Sequence, residues 1–265
     1  MSRRTIARLA VAISITLGAS LLGGWSAQAQ QAPATPEKAN NTPTVRVFLT
    51  RHGQTILNVM DRVQGWSDSP LTAPGVDVAE KIGANLGARE GQMDAAYSAD
   101  MVRHYETATV MLDAMESTVE PVRLEGLREI NFGGFEGGEN GEMWAEIMDH
   151  FGVDSIPAVL SDGRTLADVM SAVKEINPVP TLPAEDCHDV NTRMMDALET
   201  IAEDAAKHRD DQVLVVSSGV TIMCVLDEMG AHLPPTGISN GAVNLLEYKA
   251  GTWTVKTVND TSYAR

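Results

Sequence analysis

The amino-acid sequence predicts an α/β fold, a three-layer sandwich in which a mainly parallel sheet carries helices on both faces, with a helical cap insertion and a C-terminal hairpin. Three features predict it. The largely apolar runs VRVFL (45–49) and QVLVVSS (212–218) read as buried strands. Helical periodicities alternate with further strand-like runs between them, which implies crossover connections and a parallel sheet. Near the C-terminus two runs of alternating residues flank Lys249-Ala250-Gly251, whose turn chemistry suits a hairpin.

The first residues stand outside that pattern. Arg3, Arg4 and Arg8 precede an uncharged stretch from Leu9 to Gly24, and Ala27-Gln28-Ala29 supplies small residues for cleavage. Residues 1–29 therefore read as a secretory signal peptide, and Ser2-Arg3-Arg4 leaves the twin-arginine route open beside the general one. Residues 30–43, rich in Ala, Pro, Thr, Gln and Asn, read as a flexible linker, and the folded domain runs from 44 to 265. Export would place it in the periplasm or outside the cell, free of the membrane once the leader is cut. The formal charge is −16, and the leader holds three arginines and no acid, so the exported part is three charges more negative. Such a field repels nucleic acid and anionic lipid, and an anionic substrate would need a local cationic pocket.

Within the domain, Thr72 is a candidate N-cap for a helix with Pro74 in its first turn and an apolar stripe at Val76, Ala79, Ile82 and Leu86. Residues 94–98 read as a strand, 100–115 as a second helix, and 119–124 as another strand despite Pro121. Helices are expected at 141–151, 165–176 and 185–208, the first two forming the cap within the region from 137 to 183. A helix should follow the 212–218 strand from near Gly219, and the hairpin strands are 242–248 and 252–258. Cys187 and Cys224 are candidates for a disulfide in an exported chain, against which the apolar run around Cys224 suits a buried free thiol. His104, His150, His188, His208 and His232 show no metal-ligand spacing, so neither a metal nor another cofactor is called for.

Ligands of such sheets bind at the carboxyl ends of the strands. His52 lies at one such end and Ser218 at another, and the two share a crevice if their strands are neighbours. Four segments then fit longer patterns. Arg51, His52, Gly53, Thr55 and Asn58 fit Arg-His-Gly-x-Thr-x-x-Asn, and Gln64 to Thr72 fit Gln-Gly-Trp-x-Asp-x-Pro-Leu-Thr. Tyr97, Ser98, Asp100, Arg103, Thr107 and Ala108 fit Tyr-Ser-x-Asp-x-x-Arg-x-x-x-Thr-Ala, and Glu129 is followed by Phe132, Gly133, Glu136 and Gly137. In these segments the sequence resembles the histidine phosphatase superfamily, in its phosphoglycerate-mutase-like branch, across nearly all of the domain.

The resemblance implies hydrolysis of small phosphate esters through a phosphohistidine. His52 would attack phosphorus and Glu129 would protonate the leaving alcohol, while Arg51, Arg103 and Asn58, with Ser218 and Gly219, would hold the phosphoryl oxygens. The chemistry asks for those residue types. Planar guanidinium groups offer paired donors to phosphate oxygens, a neutral imidazole is a nucleophile, and a carboxyl group shuttles the proton. Each residue also has a plainer use: Arg103 as an exposed helix residue, Glu129 as a partner of Arg128, Asn58 as a turn cap.

One position departs from the family pattern. Where the family reads Ser-His-Gly this chain reads Ser217-Ser218-Gly219, so a neutral hydroxyl replaces an imidazole that donates to the transferring group. Loss of one preorganised donor slows chemistry by roughly two to three powers of ten, and restoring an imidazole at 218 is expected to raise the rate. His104 follows Arg103 directly and should point about 100° away from it on a helix, away from the gap. His188, in a loop before a helix, is a second candidate to fill it. The leading expectation is a weakened phosphomonoesterase; the alternative is a phospho-ligand-binding pseudo-phosphatase. A mutase is disfavoured by the export leader.

Overall fold

The computed structural model describes residues 43–161 and 163–265, so the leader and nearly all of the linker lie outside the described residues. Six strands form one sheet: β1 (Val45–Arg51), β2 (Ala95–Ser98), β3 (Val122–Arg123), β4 (Gln212–Ser217), β5 (Val243–Lys249) and β6 (Thr252–Asp260), in the order β3-β2-β4-β1-β5-β6. The first four run parallel, and β5 and β6 add the expected antiparallel hairpin. Its two-residue turn, Ala250-Gly251, has positive φ at both positions (50° and 80°), the geometry that matches strand twist.

Strand alternation divides the core. Val45, Val47 and Leu49 of β1, with Val213 and Val215 of β4, face one layer. That layer is α7 (Cys187–His208) and α8 (Gly219–Glu228). Phe48, Leu214 and Val216 point the other way, toward α2 (Ala73–Glu90) and α3 (Val102–Ala114). The α2 N-terminus forms as its sequence requires, with Thr72 Oγ accepting from the Gly75 N–H and Pro74 in the first turn. Only two residues of the expected 119–124 strand pair with β2, since Pro121 has no N–H to give a ladder.

The inserted region carries three helices instead of two, α4 (Asn140–Phe151), α5 (Ile156–Ser161) and α6 (Leu166–Glu175). The short α5 carries Pro157 and is too brief to show a helical period in sequence. These helices build a core of their own with Ile130, Phe132, Phe135, Val190 and the cysteine pair. Cys187 and Cys224 are bonded, with Cα atoms 5.4 Å apart, which resolves the open alternative in favour of the disulfide. It ties the first turn of α7 to the second turn of α8. A bridge closing a loop of this size typically stabilises by about 2–4 kcal/mol. We expect Cys187→Ser to lower the urea-unfolding free energy by about that amount, and the denatured wild-type protein to show no titratable thiol until a reductant is added.

Candidate active site

Parallel pairing of β1 with β4 sets Arg51 opposite Ser217, and the His52 N–H continues the ladder to the Ser217 carbonyl at 3.0 Å. The residues after the two strands, His52 and Ser218, are thereby neighbours, as the expected crevice requires. His52 is 3 % exposed. Its Nδ1 lies 2.7 Å from the Gly53 carbonyl, which can only accept, so Nδ1 carries the proton and Nε2 keeps its lone pair. Burial, reinforced by the charges of Arg103 and Arg51, holds the ring well below the ordinary histidine value of 6.5, overriding the Gly53 contact that raises it. Gly53 has no room for a side chain, because a Cβ would stand 2.7 Å from the Gly75 carbonyl oxygen.

Arg103 is wholly buried, which excludes the exposed-helix alternative. Nη1 donates to the Ser67 carbonyl (3.1 Å) and Asp68 Oδ1 (2.9 Å), and Nη2 donates to the Gly65 carbonyl (2.7 Å). Asp68 also accepts from the first α3 amide, Val102, a service that Met101 at the N-cap has no side chain to provide. The loop offering these acceptors is itself pinned by Glu136, whose carboxylate takes the amides of Gly65, Trp66, Ser67 and Phe132. Sequence matching flagged the Gln64 to Thr72 segment without a role; its role is to cage this guanidinium. As a clamp Arg103 is therefore more committed than expected, and its Nε is the nitrogen left buried without a partner among the described residues.

Arg51 is arranged similarly. Its Nη1 donates to the Ile238 carbonyl, while Nε is buried and lacks a partner among the described residues. The guanidinium lies against Gly219, where a Cβ would come within 3.1 Å of Nε. Burial lowers the Arg51 pKa, and the nearby Glu129 charge opposes that shift. Glu129, 6 % exposed, caps α8 instead of pairing with Arg128. Oε1 accepts from Thr221 (2.7 Å) and Ile130 (3.0 Å), and Oε2 from Val220 (3.1 Å). Arg128 turns to Asp100 and stacks over Trp66.

Asn58 does serve as a cap. With Thr55 it closes a reciprocal capping box on α1 (Ile56–Val59), its Oδ1 also lying 3.4 Å from Asn240 Nδ2. Nδ2 has only a 3.4 Å contact with Gln64 and stays free to turn to a ligand. Asn240, which the sequence did not flag, donates to the His52 carbonyl at 3.0 Å. His188 is exposed in the first turn of α7.

The expectation for His104 is overturned. Its ring is wholly buried, stands edge-on to His52 with centroids 5.2 Å apart, and places Nε2 2.6 Å from Ser218 Oγ. The buried residues of α3 are Arg103, His104, Thr107, Ala108, Met111 and Leu112. At about 100° per residue they cover an arc of roughly 180°, with His104 near its centre. An angle of about 100° from Arg103 does not carry His104 out of so wide an arc, because α3 packs against both β4 and α2.

This sheet, with a buried histidine at a strand end in the field of two buried guanidinium groups, has the features of a phosphate-handling α/β protein. The chain matches the histidine phosphatase superfamily (branch 1) over residues 47–261, and it belongs to that family. It is 27% identical over 217 residues to a metal-independent phosphoserine phosphatase of Arabidopsis thaliana, covering 82% of each chain. To a probable phosphoglycerate mutase of Proteus mirabilis it is 27% identical over 235 residues, covering 83% of this chain and 94% of that one. A crystal structure of phosphoglycerate mutase from Bacillus anthracis superposes with a TM-score of 0.76 at 35% identity, over 84% of this chain and 96% of the other.

His52 and His104 both have pKa values depressed well below 6.5, chiefly by burial. Below that value the unfolded chain binds more protons than the folded one, so the two rings cost no stability above about pH 6.5 and a growing amount as pH falls toward the folded values. We expect the urea midpoint to drop between about pH 7 and pH 5.5, with a shallower slope for His104→Gln.

Proposed function

We propose that the protein is an exported phosphomonoesterase that works through a phosphohistidine on His52. The observation that carries the reading is the pair of buried, partnerless Nε–H groups on Arg51 and Arg103 beside an imidazole with a free lone pair. Buried cationic donors left unpaired are costly, and a phosphoryl dianion is the acceptor that this reading assigns to them. Phosphatase relatives support the reaction class, and the disulfide suits an oxidising compartment.

In the first step Nε2 of His52 forms a bond to phosphorus as the ester oxygen departs in line, and Glu129 gives that oxygen its proton. Of its two carboxyl oxygens, Oε2 has one backbone donor where Oε1 has two, so Oε2 is the freer to face the leaving group. Water then attacks the phosphohistidine on the same line, gives a proton back to Glu129, and releases phosphate with His52 neutral again. Arg51, Arg103, Asn58 and the Gly219 amide at the start of α8 hold the three outer oxygens. Ser218 offers a neutral donor where the family pattern has an imidazole, and turnover is correspondingly weak. Similarity to mutases favours a second reading, transfer of the phosphoryl group to another hydroxyl of a phosphoglycerate.

Purified mature protein should hydrolyse an activated aryl phosphate slowly, and His52→Ala should remove that activity. An acid-labile phosphoryl group on His52 should appear on rapid quenching; its absence during turnover would sink the nucleophile assignment. Glu129→Gln should cost about 10²- to 10⁴-fold with alkyl phosphates and far less with aryl phosphates, whose leaving groups need no proton. Tight binding of phosphate esters without turnover would point to the pseudo-phosphatase instead, and isomerised phosphoglycerate without free phosphate to the mutase.

A further inference from the structure

The contact between His104 and Ser218 takes no part in the steps above, yet both side chains are fully buried beside His52. Ser218 holds the N-cap position of α8, where a serine hydroxyl ordinarily accepts from the second or third helical amide. Those amides, Val220 and Thr221, are already taken by Glu129, and the hydroxyl makes no capping bond. It turns to His104.

The direction of that hydrogen bond follows from the other ring nitrogen. A neutral imidazole has one N–H and one lone pair, and Nδ1 of His104 is buried with no partner among the described residues. Buried N–H groups without partners are rarer than under-satisfied acceptors, so the proton belongs on Nε2, which donates to Ser218 Oγ. Arg103 Nη2, at 3.5 Å, approaches the same oxygen as a weaker donor. With its lone pairs engaged, the hydroxyl has its own proton to give elsewhere, at the end of the strand that neighbours His52.

We propose that His104 is a positioning residue whose Nε2–H fixes the Ser218 hydroxyl as a directed donor to the phosphoryl oxygens held beside His52. This rests on the phosphoryl-transfer reading of His52, and it offsets part of the rate loss ascribed to a serine at 218. It also reverses the expectation that an imidazole at 218 raises the rate, because a ring there enters space that His104 already fills.

The test uses the mature protein and two measurements: kcat and KM for an aryl phosphate, and the affinity for inorganic phosphate by calorimetry, which needs no turnover. Ser218→Ala and His104→Ala should each lower kcat by about a hundred- to a thousandfold, and each should weaken phosphate binding. The double variant should be no worse than either single one, since the two groups act as a unit. His104→Gln, which restores a donor near the Nε2 position, should recover much of the loss. Ser218→His should not exceed the wild type, whereas His104→Ala with Ser218→His should exceed His104→Ala alone. Losses that multiply in the double variant, or a folded His104→Ala with wild-type kcat and phosphate affinity, overturn the proposal. If His104→Ala does not fold, His104→Leu makes the same comparison with the space filled. A wild-type protein inactive on all phosphomonoesters would remove the phosphatase reading, and the phosphate affinities would still decide the role of His104.

Discussion

The structure depends on the parallel register of β1 against β4. Pairing Arg51 with Ser217 fixes the ends of both strands at one height, so the chain leaves the sheet at His52 and Ser218 side by side. A slip of one residue would reverse which side chains face each layer, sending Phe48 into the α7 layer and Leu49 into the α2 layer. Both faces are packed with apolar residues, and that burial makes the register unique. The geometry of the site here is a by-product of hydrophobic alternation.

Around that junction the protein solves a problem of buried charge. Arg103 is wholly enclosed in a strongly acidic protein, and an isolated charge so placed would be prohibitive. Two backbone carbonyls and Asp68 compensate it, and Glu136 orders the loop that presents them by collecting four amides. The guanidinium thus stands rigid before any ligand arrives, and such preorganisation is what makes an electrostatic site effective. The same positive field, with burial, keeps both imidazoles uncharged. Glu129 links the cationic side to the sheet by capping α8, and so frees the Ser218 hydroxyl from that task.

Much of this was legible in the chain. The periods of the β1 and β4 runs, the α2 cap at Thr72 with Pro74 behind it, and the Ala250-Gly251 turn are local signals, and each element formed where its residues called for it. Arg51, His52, Arg103 and Glu129 stood out because the segments that carry them resemble one family, whose chemistry asks for those residue types. The losses also have local reasons. Pro121 shortened β3, and the brief α5 lies below the length at which a helical period shows.

By itself, then, the sequence determined most of the elements that form, which residues could serve phosphoryl transfer, and that an acidic protein needs a cationic pocket for an anion. Only the tertiary structure decided how those residues are used. Whether Cys187 meets Cys224, which donors of Arg103 are already spent on the 65–68 loop, and whether His104 faces Ser218 are distances between segments far apart in the chain. A helical angle of about 100° per residue fixes only relative direction along one helix. How wide an arc of α3 is buried depends on what packs around it, and that information resides in other elements.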